Sequence, residues 1–479
     1  MMPSREPPRR QSPAPALWFM AAVVGGCVHY SPQPRPPERV VADFQARRLD
    51  DPTLRAALDR ALPARSAEWP RKSWNRADLL IAMLHFNDTV AQGHAALEVT
   101  QAGQRTAREW PNPSLNLLAE YANQHDGSPL WLGGLTTDWL IDTAARRGAR
   151  IAGADLAAQQ AQYDFAEVAW KSRLALRRAF ADLLITNREA TLLGEIHADR
   201  ESQLSMARRQ LEVGAAARGD VDRMVGDALL DEQKLNDSRR RASAARSALA
   251  EAVGVPVAAL EGLNLEWGHL DDPPEISESL LARWREDALL ERADVRSAVA
   301  AYAVTEQALR LEVAKQYPDV HLGPAYTWDH GVKRFQFNLG LTLPLLNRNQ
   351  GPIAEAEARR REAGAKLEAT VAAAYAEIDE GIRQLRLARD RLAQAHSGIY
   401  ESAQRIYSET ERAFNAGSND RTELVAARIA RTLTELQVLD AVRAEQDALA
   451  GLEDALRRPL EGPELEVRTV PQPPEALKK

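Results

Sequence analysis

The side chains able to do covalent or metal chemistry are few and scattered in this 479-residue sequence. Cys27 is the one cysteine, so a disulfide within the chain and a cysteine zinc site are both excluded. The nine histidines show no spacing suited to a stable metal site. Among them, His321 and His330 flank a pair of alternating segments. No clustered Ser/His/Asp set, P-loop or GxGxxG stretch occurs, so the expectation is a protein that is not an enzyme, with no cofactor and no resident metal. The carboxylates with the most informative placement are Asp220, Asp222 and Glu423. Each follows a Gly-containing break between two helical patterns, LEVGAAARGDVDR from Leu211 and FNAGSNDRTELVAAR from Phe414. In the first turn of a returning helix a carboxylate is favoured by the positive end of the helix dipole, so simple capping is one role open to them.

The elements that position these residues occur twice. Gly148 and Gly351, Gly214 and Gly417, and Asp220 and Glu423 are each 203 residues apart. A constant offset over such a length marks an internal duplication. Each copy reads as a helix, two β-like segments, a very long helix, a break and a return helix. The run from Ile353 to Phe414 would be about 90 Å long at roughly 1.5 Å per residue. Within it Val371, Ile378, Leu385, Leu392, Ile399, Ile406 and Ala413 recur every seventh residue, the mark of a coiled-coil seam. The first copy spans about Ala144 to Val213, with a less regular seam. Gly214 and Gly417 are expected where each hairpin turns, because Gly accepts the left-handed conformation that ends a helix. Around Trp74, WNRADLLIAM reads as a helix start capped by Asn75, with helix continuing to Arg108.

The β-like segments alternate strictly. Phe335, Phe337, Leu339, Leu341 and Leu343 interleave with Gln336, Asn338, Gly340, Thr342 and Pro344. Val320, Leu322, Tyr326 and Trp328 do the same, as do Trp131, Leu135, Trp139 and Ile141 in the first copy. Alternation alone favours a soluble sheet with its apolar face on a core. The other reading turns that face to lipid and the polar face to water. An open sheet edge is not tolerated in lipid, so four strands would then need several chains to close a barrel.

Composition agrees with a mostly α chain carrying a small β part: aromatics are 6% and Ala-rich helical sequence dominates. The net charge of −7 and the lack of a basic stripe give no reason to expect nucleic acid. At the N-terminus Arg5, Arg9 and Arg10 precede a short apolar run, Ala16 to Val24, far below the roughly 20 residues of a membrane span. This reads as a secretory signal. It ends VVGGC, which resembles a bacterial lipobox and would leave Cys27 as an acylated N-terminus. Val28 follows the cysteine, where Asp would favour retention in the inner membrane, so the outer membrane is expected. The resulting division is a lipoprotein signal peptide at 1–26 and a lipid-anchored tether at 27–74. A first repeat follows at 75–253, a linker or equatorial segment at 254–284, a second repeat at 285–456 and a C-terminal tail at 457–479, expected to be irregular after Leu460.

Taken together, ADVRSA at Ala293, YPDV at Tyr317, the alternating strands into PLLNRNQGPIAEAEARR and the two turn motifs resemble the TolC family of bacterial outer-membrane efflux channels. The resemblance covers roughly Asn75 to Leu456. It implies a homotrimer in which each chain adds four strands to a β-barrel in outer-membrane lipid, with long coiled-coil hairpins forming an α-barrel into the periplasm. It also implies a periplasmic adaptor and an inner-membrane pump, of the RND type, as partners. By the same resemblance the adaptor-docking tips fall on Leu211, Val213 and Gly214 and on Phe414, Ala416 and Gly417. An acidic aperture falls on Asp220, Asp222 and Glu423. Ala426 stands where a second acidic place of the return-helix motif would be, so a single acidic ring is expected from the second copy. PLLNRNQGPIAEAEA is closest to the CzcC-like heavy-metal branch, which implies export of metal cations. A periplasmic adaptor lipoprotein and a drug or secretion duct are the alternatives. An adaptor, however, has one hairpin flanked by a lipoyl-like domain, not two hairpins each preceded by a strand pair.

Overall fold

The computed structural model describes residues 29–65, 69–121, 131–268, 270, 277–329 and 331–467. The expected signal peptide, Cys27 and His330 lie outside the described residues. The chain divides into two units, Met1–Ala46 and Arg47–Lys479. In the first, helix α1 (Pro37–Gln45) starts on a proline at its first turn and buries none of its residues.

The second unit holds both repeats. Helix α2 (Pro52–Ala61) is capped by Asp51, whose side chain accepts from the Thr53 N–H. After the short strand β1 (Ser73–Trp74), helix α3 (Arg76–Phe86) begins with a full capping box. Asn75 accepts from the Asp78 N–H at 3.0 Å, and Asp78 accepts from the Asn75 N–H at 3.2 Å. The helix expected to run on to Arg108 breaks at Asn87. That residue is extended, and its Oδ1 accepts from the Thr89 and Val90 N–H groups to start helix α4 (Asp88–Arg108). Its Nδ2 meanwhile donates to the Ala252 carbonyl, so a tertiary contact selects the break.

Strands β2 (Ser114–Tyr121) and β3 (Trp131–Ile141) lead into the 67-residue helix α5 (Arg146–Glu212), and α6 (Arg218–Val253) returns. Between the repeats, β4 (Asn264–Leu265) pairs in parallel with β1. The second repeat then follows as α7 (Glu278–Glu291), α8 (Ala293–Ala314), β5 (Val320–Asp329), β6 (Val332–Leu341), α9 (Gln350–Ala393), α10 (Glu401–Asn415) and α11 (Arg421–Leu456). Helices α6 and α11 are both 36 residues long, and their first and last residues correspond at the offset of the duplication.

Between α9 and α10 the chain winds as a π-helix over Gln394–Tyr400. A π turn takes up an extra residue, so the seven-residue seam leaves its face there. Ile378 and Leu385 are buried, whereas Ile399 and Ile406 are exposed. The coiled-coil seam expected along the whole run therefore ends at the π segment within one chain.

Two cores lie away from the hairpin tips, one for each hairpin. The first gathers Leu54, Leu58, Leu79, Ile81, Met83, Leu176, Leu249 and Val253 from α2, α3, α5 and α6. The second gathers Leu281, Ile378, Leu385, Leu449, Leu452 and Leu456 from α7, α9 and α11. Each such buried side chain contributes about 1.5–3 kcal/mol. The four long strands form one open antiparallel sheet in the order β2-β3-β5-β6, and the β3–β5 pairing joins the two repeats edge to edge.

Candidate functional site

The sheet register decides which side chains share a face. Leu117 stands opposite Leu135, Leu135 opposite Tyr326, and Tyr326 opposite Phe335. Trp139 stands opposite Leu322, and Leu322 opposite Leu339. One face is thus mainly apolar across all four strands, Thr137 and Lys333 aside, with aromatic pairs Tyr121–Trp131 and Tyr326–Phe335 at centroid distances of 5.1 and 5.2 Å. This face is uncovered: Leu117 is 78% exposed, Phe335 82% and Phe337 68%. A sheet packed on a core of its own chain would bury it, and within this chain nothing does. Strands β3, β5 and β6 are 11, 10 and 10 residues long, matching the roughly 9–11 residues of a membrane-crossing strand. Among the described residues no helix is long and apolar enough to cross a membrane.

The other face is mainly polar, with Leu118, Leu132 and Leu140 among its side chains. It carries Asn116 and Glu120 on β2, Thr136 and Asp138 on β3, His321 and Thr327 on β5, and Arg334, Gln336 and Asn338 on β6. His321 Nδ1 lies 3.2 and 3.1 Å from the two Asp138 carboxylate oxygens, a pair that the sequence did not reveal because it depends on cross-strand register. Where strands hand over to helices, Arg146 reaches Asp319 at 2.5 Å, and Asn349 donates to the Glu312 carbonyl and carboxylate.

The hairpin turns have the same construction in both repeats. Gly214 (φ +75°) donates to the Leu211 carbonyl, and Ala215 to the Gln210 carbonyl, at 3.0 and 2.7 Å. Gly417 (φ +79°) donates to the Phe414 carbonyl, and Ser418 to the Ala413 carbonyl, both at 2.9 Å. These are Schellman closures, which need a left-handed residue at the glycine position. Val213 is 79% exposed and Gly214 is exposed beside it; at the other tip Ala416 and Gly417 are exposed, while Leu211 and Phe414 are half-buried. Leu211 packs on the cluster of Leu204, Ala207, Val221 and Ala228, which leaves Val213 as the protruding apolar side chain of the first tip.

Asp220 and Glu423 sit in the matched first turns of α6 and α11, and both are exposed. Asp220 pairs with Arg223 on its own helix. In the second repeat the cap is Asp420, which accepts from the Glu423 N–H at 2.8 Å, so the Glu423 carboxylate is not engaged in capping. Asp222 is exposed one residue beyond Val221. The three acids lie on two separate helices, near the two tips.

A buried ionic cluster went unseen in the sequence. Arg173 and Arg177, four apart on α5, meet Glu453 on α11 at 3.1 and 3.0 Å. Glu461 accepts from Arg76 and Arg177 at 3.2 and 3.1 Å, and Glu464 pairs with Arg173. The segment after Leu460, expected to be irregular, instead forms a 3-10 turn (Pro463–Glu466) with Glu461 and Glu464 buried. Burial pushes the Glu453 carboxyl up, but the charges of Arg177 and Arg173 outweigh it and hold the group below the usual glutamate value. Further along, Asp199 of α5 pairs with Arg428 of α11, and Asp231 of α6 with Arg200 of α5 at 3.1 Å. The i, i+4 spacing of Arg173 and Arg177 was the one signal available.

Residues 80–255 and 284–456 match the family model described as outer membrane efflux protein. No curated protein sequence matches the chain. Among solved structures, the outer membrane protein VceC of Vibrio cholerae aligns with a TM-score of 0.66 at 17% identity, covering 81% of this chain and 97% of that one. The open-state MtrE outer membrane channel of Neisseria gonorrhoeae aligns with a TM-score of 0.65 at 16% identity, covering 81% and 89%. A membrane protein from Pseudomonas aeruginosa gives 0.65 at 18% identity, covering 80% and 93%. At these identities the likeness is one of fold.

Proposed function

The chain belongs to the outer membrane efflux protein family, and on that footing we propose that it is the outer-membrane duct of a tripartite efflux system. The observation that carries this reading is the open four-stranded sheet with one uncovered apolar face and one polar face, continuous with two long helical hairpins. Unpaired edges at β2 and β6 are too costly in lipid to stay open. Three chains would supply about twelve strands and close a barrel, apolar side to lipid and polar side to a water-filled lumen. The helices would continue that lumen into the periplasm.

The tips would dock a periplasmic adaptor, which joins the duct to an inner-membrane pump. Val213, exposed at the first Schellman-closed turn, offers the apolar contact, with Leu211, Gly214, Phe414, Ala416 and Gly417 shaping the two turns. Asp220, Asp222 and Glu423 would form the acidic aperture near the tips. Glu423 is the best placed of them, because Asp420 relieves it of capping and Asp220 is drawn to Arg223. Cys27, acylated, would tie the chain to the outer membrane; one acyl chain holds only marginally and several hold firmly. Heavy-metal cations are the proposed cargo, from the PLLNRNQGPIAEAEA stretch.

Two measurements test this. The purified full-length protein should conduct ions in a planar bilayer, and Glu423→Ala should shift its cation selectivity. No conductance under any condition would defeat the duct, and an unchanged reversal potential would remove the aperture role. A deletion strain should become sensitive to zinc, cobalt, cadmium or copper. Sensitivity to drugs and detergents alone would replace the metal cargo with a drug cargo.

A further inference from the structure

We propose that the polar face of the sheet carries a cation-contact site, His321 oriented by Asp138, at which divalent first-row transition-metal ions bind weakly on their way through the barrel. This rests on the reading above, in which the polar face lines the lumen, and it deepens the metal cargo of that reading.

The pair is built by the register. The β3–β5 register pairs Thr136 with Ala325 and Leu140 with His321, which sets Asp138 level with Gly323 between them. The Asp138 carboxylate oxygens lie 3.1–3.2 Å from His321 Nδ1. On the other side His321 stands across from Gly340 of β6. A Cβ at Gly340 would come to 3.2 Å from the His321 Cβ, and one at Gly323 to 3.0 Å from the Thr137 carbonyl oxygen. Gly340 therefore leaves room for the His321 side chain on the next strand.

The chemistry follows from the partner. An ionised carboxylate only accepts hydrogen bonds, so Nδ1 must carry the proton, and the lone pair of the neutral ring sits on Nε2. A carboxylate behind one imidazole nitrogen is the arrangement that fixes the tautomer and raises the basicity of a metal-binding histidine. Imidazole suits zinc, copper, cobalt and nickel better than the hard cations magnesium and calcium. Among the described residues there is no group of three His, Cys, Asp or Glu side chains able to hold a metal. One protein ligand completed by water is a weak contact, which is what conduction needs, since ions must leave as readily as they enter.

The test uses the full-length protein in detergent, with Cu2+ as the probe and electron paramagnetic resonance as the readout. The wild type should show an imidazole-nitrogen class at one copper per chain that His321→Gln abolishes. Asp138→Asn should keep the ligand but weaken its affinity by about tenfold or more. Equal spectra and titrations for wild type and His321→Gln would overturn the proposal, whatever other histidines bind. Equal affinity for wild type and Asp138→Asn would overturn the orienting role. In bilayers, Zn2+ should reduce the conductance at lower concentration in wild type than in His321→Gln, and Mg2+ should not discriminate between them. A protein that binds copper through His321 yet carries no current would refute the duct and leave the site standing. One that conducts but responds identically to Zn2+ with and without His321 would do the reverse.

Discussion

At matched places in the two repeats, Ile196 is 1% exposed and Ile399 is 48% exposed. The difference extends along the hairpins. Helix α5 is continuously α-helical to its tip, and there Leu204, Ala207, Val221 and Ala228 make a local core with α6. The second hairpin passes through the π segment, and α10 beyond it buries none of its residues. Yet the closures at Gly214 and Gly417 are the same, and the return helices have equal length. Duplication has kept the parts set by local backbone chemistry and has let the side-chain packing diverge. Within a single chain the first hairpin is anchored to its tip, and the second is held mainly through α11, whose Val425 and Ile429 pack on Leu193, Ile196 and Leu235 of the first.

The largest test of this contrast removes what the hairpins share. Arg177→Ala leaves Glu453 and Glu461 short of a buried counter-charge and should cost about 3–5 kcal/mol, loosening both hairpins together. Thermal unfolding followed by circular dichroism would show it as one lowered transition; a transition lost from one hairpin only would break the claim of a shared clamp. Next in size, Leu204→Ala should cost about 2–5 kcal/mol as a buried truncation, against roughly 0.5 kcal/mol or less for the exposed Ile406→Ala. Hydrogen exchange at each tip reads the two separately. Similar costs in the assembled protein would mean that a second copy covers Ile406.

A smaller effect distinguishes the strand-to-helix exits. Ala145 and Asn349 precede α5 and α9 in left-handed conformations, φ 59° and 62°. Alanine is strained there by about 1–2 kcal/mol, whereas asparagine visits that region more readily and is braced by Glu312. Ala145→Gly should therefore stabilise by about 1 kcal/mol, and Asn349→Gly should not, as read from denaturation midpoints.

The smallest expected effect is in acid. Burial pushes the Asp294 carboxyl up, but Arg292 and Arg457 outweigh it and hold it below the ordinary aspartate value. Its contribution is complete above that ordinary value and is lost as the pH falls through the lowered one. Asp78 is the opposite: burial raises it in spite of Arg71 and Arg65. Its contribution is complete below the ordinary value and is lost as the pH rises through the raised one. Asp294→Asn should flatten the loss of stability at low pH, and Asp78→Asn the loss at higher pH. Midpoints measured against pH that move alike in the two variants would contradict this pairing.

How much was legible follows the range of the interactions. The capping box of Asn75 and Asp78, the glycine turns at 214 and 417 and the alternation of Phe335, Phe337, Leu339 and Leu341 depend on residues a few positions apart, and they appear in the structure as the sequence implies. The break at Asn87 was missed because its amide nitrogen is held by Ala252, far along the chain. The fate of Ile399 was missed because a π turn shifts the phase of the helix and no residue type marks it. The tail beyond Leu460 looked irregular because Glu461 and Glu464 are ordinary surface residues until Arg76, Arg173 and Arg177 surround them.

By itself the sequence determined the duplication, the helical hairpins and their turns, the two-faced strands and the family they resemble, since periodicity and backbone preference are local properties. Only the tertiary structure decided that the apolar face of the sheet stays uncovered, that one hairpin is packed to its tip and the other is not, and that His321 meets Asp138. Each of these depends on strand register or helix phase, where a shift of one residue moves every side chain to another face.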